Sequence, residues 1–99
     1  MTATRVSRET LREMSRQVFG QAHRLELMLA VGRSDDGIVC LTELAKALDV
    51  SVSSLQKPFQ SLVHARLISP LPDVDSRYRF YARNPSAAWL WAEELARPD

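Results

Sequence analysis

The stretch Leu41-Thr42-Glu43-Leu44-Ala45-Lys46-Ala47-Leu48-Asp49-Val50-Ser51-Val52-Ser53-Ser54-Leu55-Gln56-Lys57-Pro58-Phe59-Gln60-Ser61-Leu62-Val63-His64 decides the fold. Thr42 can cap a short helix, Glu43 to Leu48, with Leu44, Ala45 and Leu48 on one face. Asp49-Val50 reads as a tight turn, and Asp is among the residues that tolerate a left-handed backbone. Ser51 can cap a second helix that runs to about His64. In that helix Val52, Leu55, Phe59, Leu62 and Val63 form the apolar face. Ser53, Ser54, Gln56, Lys57, Gln60, Ser61 and His64 form the other, which carries no charge apart from Lys57. An ordinary solvated face carries Glu and Lys in quantity, whereas side chains that both donate and accept hydrogen bonds suit the reading of base edges.

Pro58 interrupts the pattern. It deletes the backbone bond to the carbonyl of Ser54, which costs on the order of 3 kcal/mol in a regular helix. Two arrangements fit: a kinked but continuous helix, or a regular helix starting near Lys57 after a looser turn over 51–57.

Outward on the N-terminal side, residues 1–6 read as a short tail and 7–99 as one domain. Ser7 and Glu9 suit the start of a helix over 8–19. Leu11, Met14, Val18, Ala22 and Leu25 recur at helical steps, and Gly20 predicts a bend before a second helix over 21–32. The segment from Gly32 to Gly37 is a loop by composition, and Ile38 to Leu41 a short strand. On the C-terminal side, Ile68 to Leu71 and Tyr78 to Arg83 read as two strands around a turn-rich segment. Pro70 and Pro72 confine the first of them to a short or edge position. Alternation puts Tyr78, Phe80 and Ala82 on one face and Arg77, Arg79, Tyr81 and Arg83 on the other. Ser86 can cap a last helix, Ala87 to Ala96.

Composition narrows the function classes. The chain has 99 residues, 45% apolar and 25% charged, which is ordinary for a globular domain. No apolar run approaches the roughly 20 residues of a membrane helix, and no signal-like segment opens the chain, so a cytoplasmic protein without membrane contact is expected. A single cysteine, Cys40, excludes an internal disulfide and a CxxC zinc site; in an apolar run it reads as a small buried hydrophobe. The two histidines, His23 and His64, are too far apart to suggest a metal cage. No phosphate-cradling or nucleophile motif occurs, so neither an enzyme nor a cofactor is expected. Eleven of the 13 basic residues are arginine, yet the net charge is only +1. Nucleic-acid affinity would have to come from charge segregation.

The order of these elements, mainly α with a small β-hairpin, resembles the winged helix-turn-helix of bacterial transcription regulators of the ArsR/MarR-like type. Three segments carry the resemblance: Leu41 to Ser51, Leu62-Val63-His64-Ala65-Arg66-Leu67-Ile68, and His23-Arg24-Leu25-Glu26-Leu27-Met28. It covers roughly residues 19–84. The glycines usual in such proteins are replaced by Asp49 in the turn and Arg66 before the wing. The cysteine and histidine ligands of the metal-sensing members are missing, so the resemblance does not extend to metal sensing.

The resemblance implies a homodimer on double-stranded DNA, with the second helix of the motif in the major groove. Base contacts would come from Ser53, Ser54, Gln56, Lys57 and Gln60, and phosphate contacts from Thr42, Ser51, Arg77 and Arg79. Asp73 and Asp75 at the wing tip could instead pair with those arginines. Arg5, Arg8, Arg12 and Arg16 form a stripe that Glu9 and Glu13 can partly neutralise. Leu11, Met14 and Val18, with Trp89, Leu90 and Trp91, are the candidate dimer interface, since one terminal helix seldom buries both its sides within its own fold. No effector site is evident, though a pocket at a dimer interface could hold a small molecule. The rival reading is a winged-helix module whose same surface docks a protein instead of DNA.

Overall fold

The computed structural model describes residues 6–72 and 78–98. They form α1 (Arg8–Phe19), α2 (Arg24–Gly32), β1 (Ile38–Cys40), α3 (Leu41–Leu48), α4 (Val52–His64), β2 (Ile68–Pro70), β3 (Phe80–Arg83) and α5 (Ala88–Leu95). The chain is thus mainly helical, with one small antiparallel sheet in the order β1-β3-β2. The first strand joins the expected hairpin: Val39 pairs with Tyr81 on one side of β3, and Ser69 with Ala82 on the other.

α2 is the central element and packs against α1, α3, α4 and α5. It is apolar around most of its circumference, and Leu25, Leu27, Met28, Leu29 and Val31 are all buried. Leu55, Phe59 and Leu62 of α4 and Ile68 of β2 meet them, with Val63 packed beside; Val52, expected on the same face, is exposed instead, at the first turn of the helix. Tyr81 reaches the same core and stacks edge-on against Phe59, the ring centroids 4.9 Å apart. No described helix is long and apolar enough to cross a membrane.

The second helix begins at Arg24, not at residue 21. Gly20, at φ +72°, closes α1 in a left-handed conformation, and its N–H donates to the carbonyl of Arg16. The buried Ser15 hydroxyl then holds the link, donating to the carbonyl of Gln21 and accepting from the N–H of Leu25. Residues 21–23 therefore form a turn.

α3 begins at Leu41, one residue before the expected cap. Extended backbone at Cys40 passes directly into the helix, which leaves Thr42 exposed in its first turn. At the other end Asp49 takes φ +58°; its N–H donates to Lys46 and that of Val50 to Ala45, the paired bonds of a Schellman stop. α4 stops in the same way at Arg66, φ +64°, with bonds to Val63 and from Leu67 to Leu62.

Pro58 lies inside a continuous α4, so a helix starting near Lys57 is ruled out. The ring is buried, while Ser54, whose carbonyl loses its donor, is exposed to water. The ring's burial offsets part of the cost of that lost bond.

The alternation assigned to the second strand holds only from Phe80 onward, because regular pairing starts there. Its inner face carries Tyr81 against the core and Arg83 against α2. Arg83 is a fold residue: its Nη1 donates to the carbonyls of Val31 (3.0 Å), Gly32 (3.0 Å) and Ser34 (2.9 Å), where α2 ends. α5 begins at Ala88, one residue later than expected, with Ala87 and not Ser86 in the cap position; Ser86 Oγ accepts from the N–H of Ala88 just outside it.

Candidate nucleic-acid interface

The exposed face of α4 is laid out from its cap. Ser51 Oγ accepts from the N–H of Ser54 and lies 3.1 Å from Ser53 Oγ and 2.7 Å from Ser54 Oγ. The three hydroxyls thus form one cluster at the leading end of the helix, beside its unsatisfied N–H groups. Such an end attracts phosphate oxygens, and the hydroxyls can turn outward to meet them. Ser53, Gln56, Lys57 and Gln60 are exposed along the turns that follow. Among the described residues no ion pair involves Lys57, the one charged side chain of this row.

A cleft of about 200 Å³ opens between α4, the start of α3 and the approach to β3. Thr42, Gln56, Gln60 and Arg79 all line it, together with Tyr78. Four residues singled out in the sequence are therefore neighbours in space. Ser51, Ser53, Ser54 and Lys57 are not part of the cleft and extend from it along the leading half of α4. Arg77, Asp73 and Asp75 lie outside the described residues, as does Arg5.

Tyr78 was assigned to the strand face opposite Arg79, yet both line the cleft. The two precede the regular strand, so period-two alternation does not govern them. A tyrosine beside a run of arginines was the available signal, and the strand pattern concealed it.

Charges of both signs lie around this surface among the described residues. Lys46, Lys57 and Arg79 are exposed, but so are Glu43 and Asp49. Asp49 sits 3.8 Å from Arg8 of α1. The other arginines of the α1 stripe turn elsewhere: Arg16 pairs with Glu13, and Arg12 with the buried Glu26.

The candidate dimer residues divide into two groups. Leu11 is half-buried against the core, and Trp89 lies over Gly32 with its Nε1–H donating to the carbonyl of Asn84 (2.8 Å). Both serve the packing of this chain itself. Met14, Val18, Leu90 and Trp91 remain exposed, Leu90 at 76%. Phe19 joins the two helices, its ring edge-on to Trp91 at 5.4 Å.

Among the described residues no group of histidine, cysteine and carboxylate side chains is arranged to hold a metal ion. No family model matches the sequence, and no curated protein is significantly similar to it.

Proposed function

We propose that this chain is a winged helix-turn-helix protein that binds double-stranded DNA sequence-specifically as a homodimer and regulates transcription by occupying its operator. One observation carries the reading. α3, a left-handed turn at Asp49 and α4 leave an outer face of neutral hydrogen-bonding side chains beside a cleft shared with Arg79. An exposed helix face of this kind fits the major groove, where Gln56 and Gln60 can pair bidentately with adenine and Lys57 can reach guanine. Arg79 and the hydroxyls of Thr42 and Ser51 serve the backbone. Met14, Val18, Leu90 and Trp91 supply the apolar surface through which two copies associate. Two recognition helices would then meet half-sites about one helical turn apart.

The test is selection from a random double-stranded DNA library at about 0.15 M salt, a condition that keeps backbone attraction moderate. Enrichment of an inverted repeat, lost with the paired change Gln56→Ala and Gln60→Ala, is the expected result. Recovery of all sequences alike would mean backbone binding only. No recovery from a folded protein would favour a surface that docks another protein.

A further inference from the structure

Among the described residues, Arg24 Nε is the one buried side-chain nitrogen or oxygen without a hydrogen-bond partner. Arg24 opens α2, is half-buried, and joins no ion pair among those residues. Its guanidinium lies over the ring of Phe19, with Cζ 5.8 Å from the centroid. Phe19 in turn meets Trp91 edge-on at 5.4 Å. Glu94 follows Trp91 by three residues and Leu90 by four, so it shares their face of α5. It is exposed, and while its neighbour Glu93 is taken by Arg33, Glu94 is in no ion pair among the described residues. A row therefore crosses the exposed apolar patch, from a cation through two rings to a carboxylate. A guanidinium drawn partly out of water with its donors unused is costly until an acceptor meets it. A two-fold axis through the middle of such a row lays each end on the opposite end of the copy, which makes the surface complementary to itself.

We propose that in the homodimer Arg24 of each copy pairs with Glu94 of the other, and that these two crossed ion pairs set the register in which the α1–α5 faces meet. The inference rests on the homodimer proposed above and adds its orientation. The apolar side chains supply the association. Charges at the rim fix the register more than they add affinity.

The test is a charge swap read by sedimentation equilibrium, with circular dichroism to check the fold. Arg24→Glu alone and Glu94→Arg alone each set like charges against one another at both crossed contacts. Each should associate at least about tenfold more weakly than the wild type. An equimolar mixture of the two variants restores opposite charges at both contacts, and should associate to within about threefold of the wild type. In about 1 M salt the deficit of each variant should shrink, as screening requires. Where Arg24→Glu loses helix content, Arg24→Gln takes its place. It should weaken association of the wild type, yet strengthen that of the Glu94→Arg variant by removing a repulsion. A wild type that dimerises while the variants match it, or a mixture no tighter than either variant alone, would overturn the crossed pair and leave the homodimer standing. A wild type that stays monomeric at every concentration would remove the homodimer and the pair with it.

Discussion

Arg12 Nε donates to Glu26 Oε1 across 2.8 Å, and both side chains are withdrawn from water, at 20% and 3% exposure. The pair joins α1 to α2 at a point where neither charge is fully hydrated. Removing one partner of such a pair leaves the other buried and uncompensated, which costs about 3–5 kcal/mol. Because His23 also meets Glu26, Arg12→Met should cost toward the lower end, about 3 kcal/mol by urea denaturation. Replacing both together, Arg12→Met with Glu26→Leu, should restore most of that loss. A single substitution costing less than about 1 kcal/mol would mean that the pair behaves as a surface one.

Two arginines of one short segment should separate cleanly. Arg83 bonds three carbonyls at the end of α2, whereas Arg79 lines the cleft beside α4. Arg83→Gln should lower stability by about 2 kcal/mol, the worth of charge-assisted bonds to partly buried acceptors. Its folded fraction should bind DNA as before. Arg79→Ala should leave the denaturation midpoint nearly unchanged and weaken DNA binding about equally on all sequences, with a shallower salt dependence. An Arg83 variant that is fully stable but fails on DNA would reverse the two roles.

The strained turn at Arg66 gives a prediction of opposite sign. A residue with a Cβ pays about 1 kcal/mol for a left-handed conformation, and Arg66 sits at φ +64° with an exposed side chain. Asn84 Nδ2 bonds its carbonyl at 2.8 Å and helps hold the conformation, a contact that does not depend on the arginine side chain. Arg66→Gly should therefore raise stability by up to about 1 kcal/mol, set against the greater freedom glycine gives the unfolded chain. A loss would show that the side chain makes a contribution of its own.

That turn also marks how far the sequence could be read. The stop at Asp49 was legible because aspartate tolerates a left-handed backbone; Arg66 takes the same conformation although arginine is less suited to it. The α3–α4 pair and its buried face were legible because apolar spacing and the Ser51 cap agree. The break after Gly20 was misplaced, since the bonds of Ser15 that hold residues 21–23 out of the helix are tertiary. Glu26 gave no signal as a buried charge, because its partner Arg12 lies on another helix. In the cleft, Thr42, Gln56, Gln60 and Arg79 were legible by type. Tyr78 was not, because it follows no regular strand.

Acid should expose the tie between α2 and α5. Glu93 accepts from Arg33 Nε at 2.7 Å and Nη2 at 2.8 Å, and these bonds hold its carboxyl below the ordinary glutamate range. With the folded value depressed, the contribution is complete above the unfolded value of about 4.3 and is lost as pH falls through the folded one. Both side chains are well exposed, 60% and 45%, so water screens the pair and its worth is about 0.5 kcal/mol. Denaturation midpoints of the wild type and Glu93→Gln should differ slightly at neutral pH and converge toward pH 3. A gap that persists in acid would mean the substitution acts by some route other than this ion pair.

The proposed homodimer rests on Met14, Val18, Leu90 and Trp91, and its test must separate association from folding. Single exposed apolar side chains are common on monomers, so exposure alone decides little. Phe19 gives the cluster more weight, because its ring against Trp91 brings the end of α1 and α5 together. A stable interface covers about 800 Å² on each partner and draws most of its energy from a few well-packed aromatic anchors. Trp91 is the candidate anchor. Trp91→Ala should weaken self-association about 30-fold or more, corresponding to the 2 kcal/mol that defines such an anchor. Leu90→Arg should act through charge placed in the same apolar contact. Sedimentation equilibrium reads the association, and far-ultraviolet circular dichroism reads the fold. The wild type should sediment as a dimer at micromolar concentration, and both variants should shift toward monomer with helix content unchanged. On an inverted-repeat site the monomeric variants should lose affinity far more than on an isolated half-site, because only the dimer fixes the spacing of the two α4 helices. A wild type that sediments as a monomer at every concentration would remove the dimer and leave α4 as a single reader of one half-site.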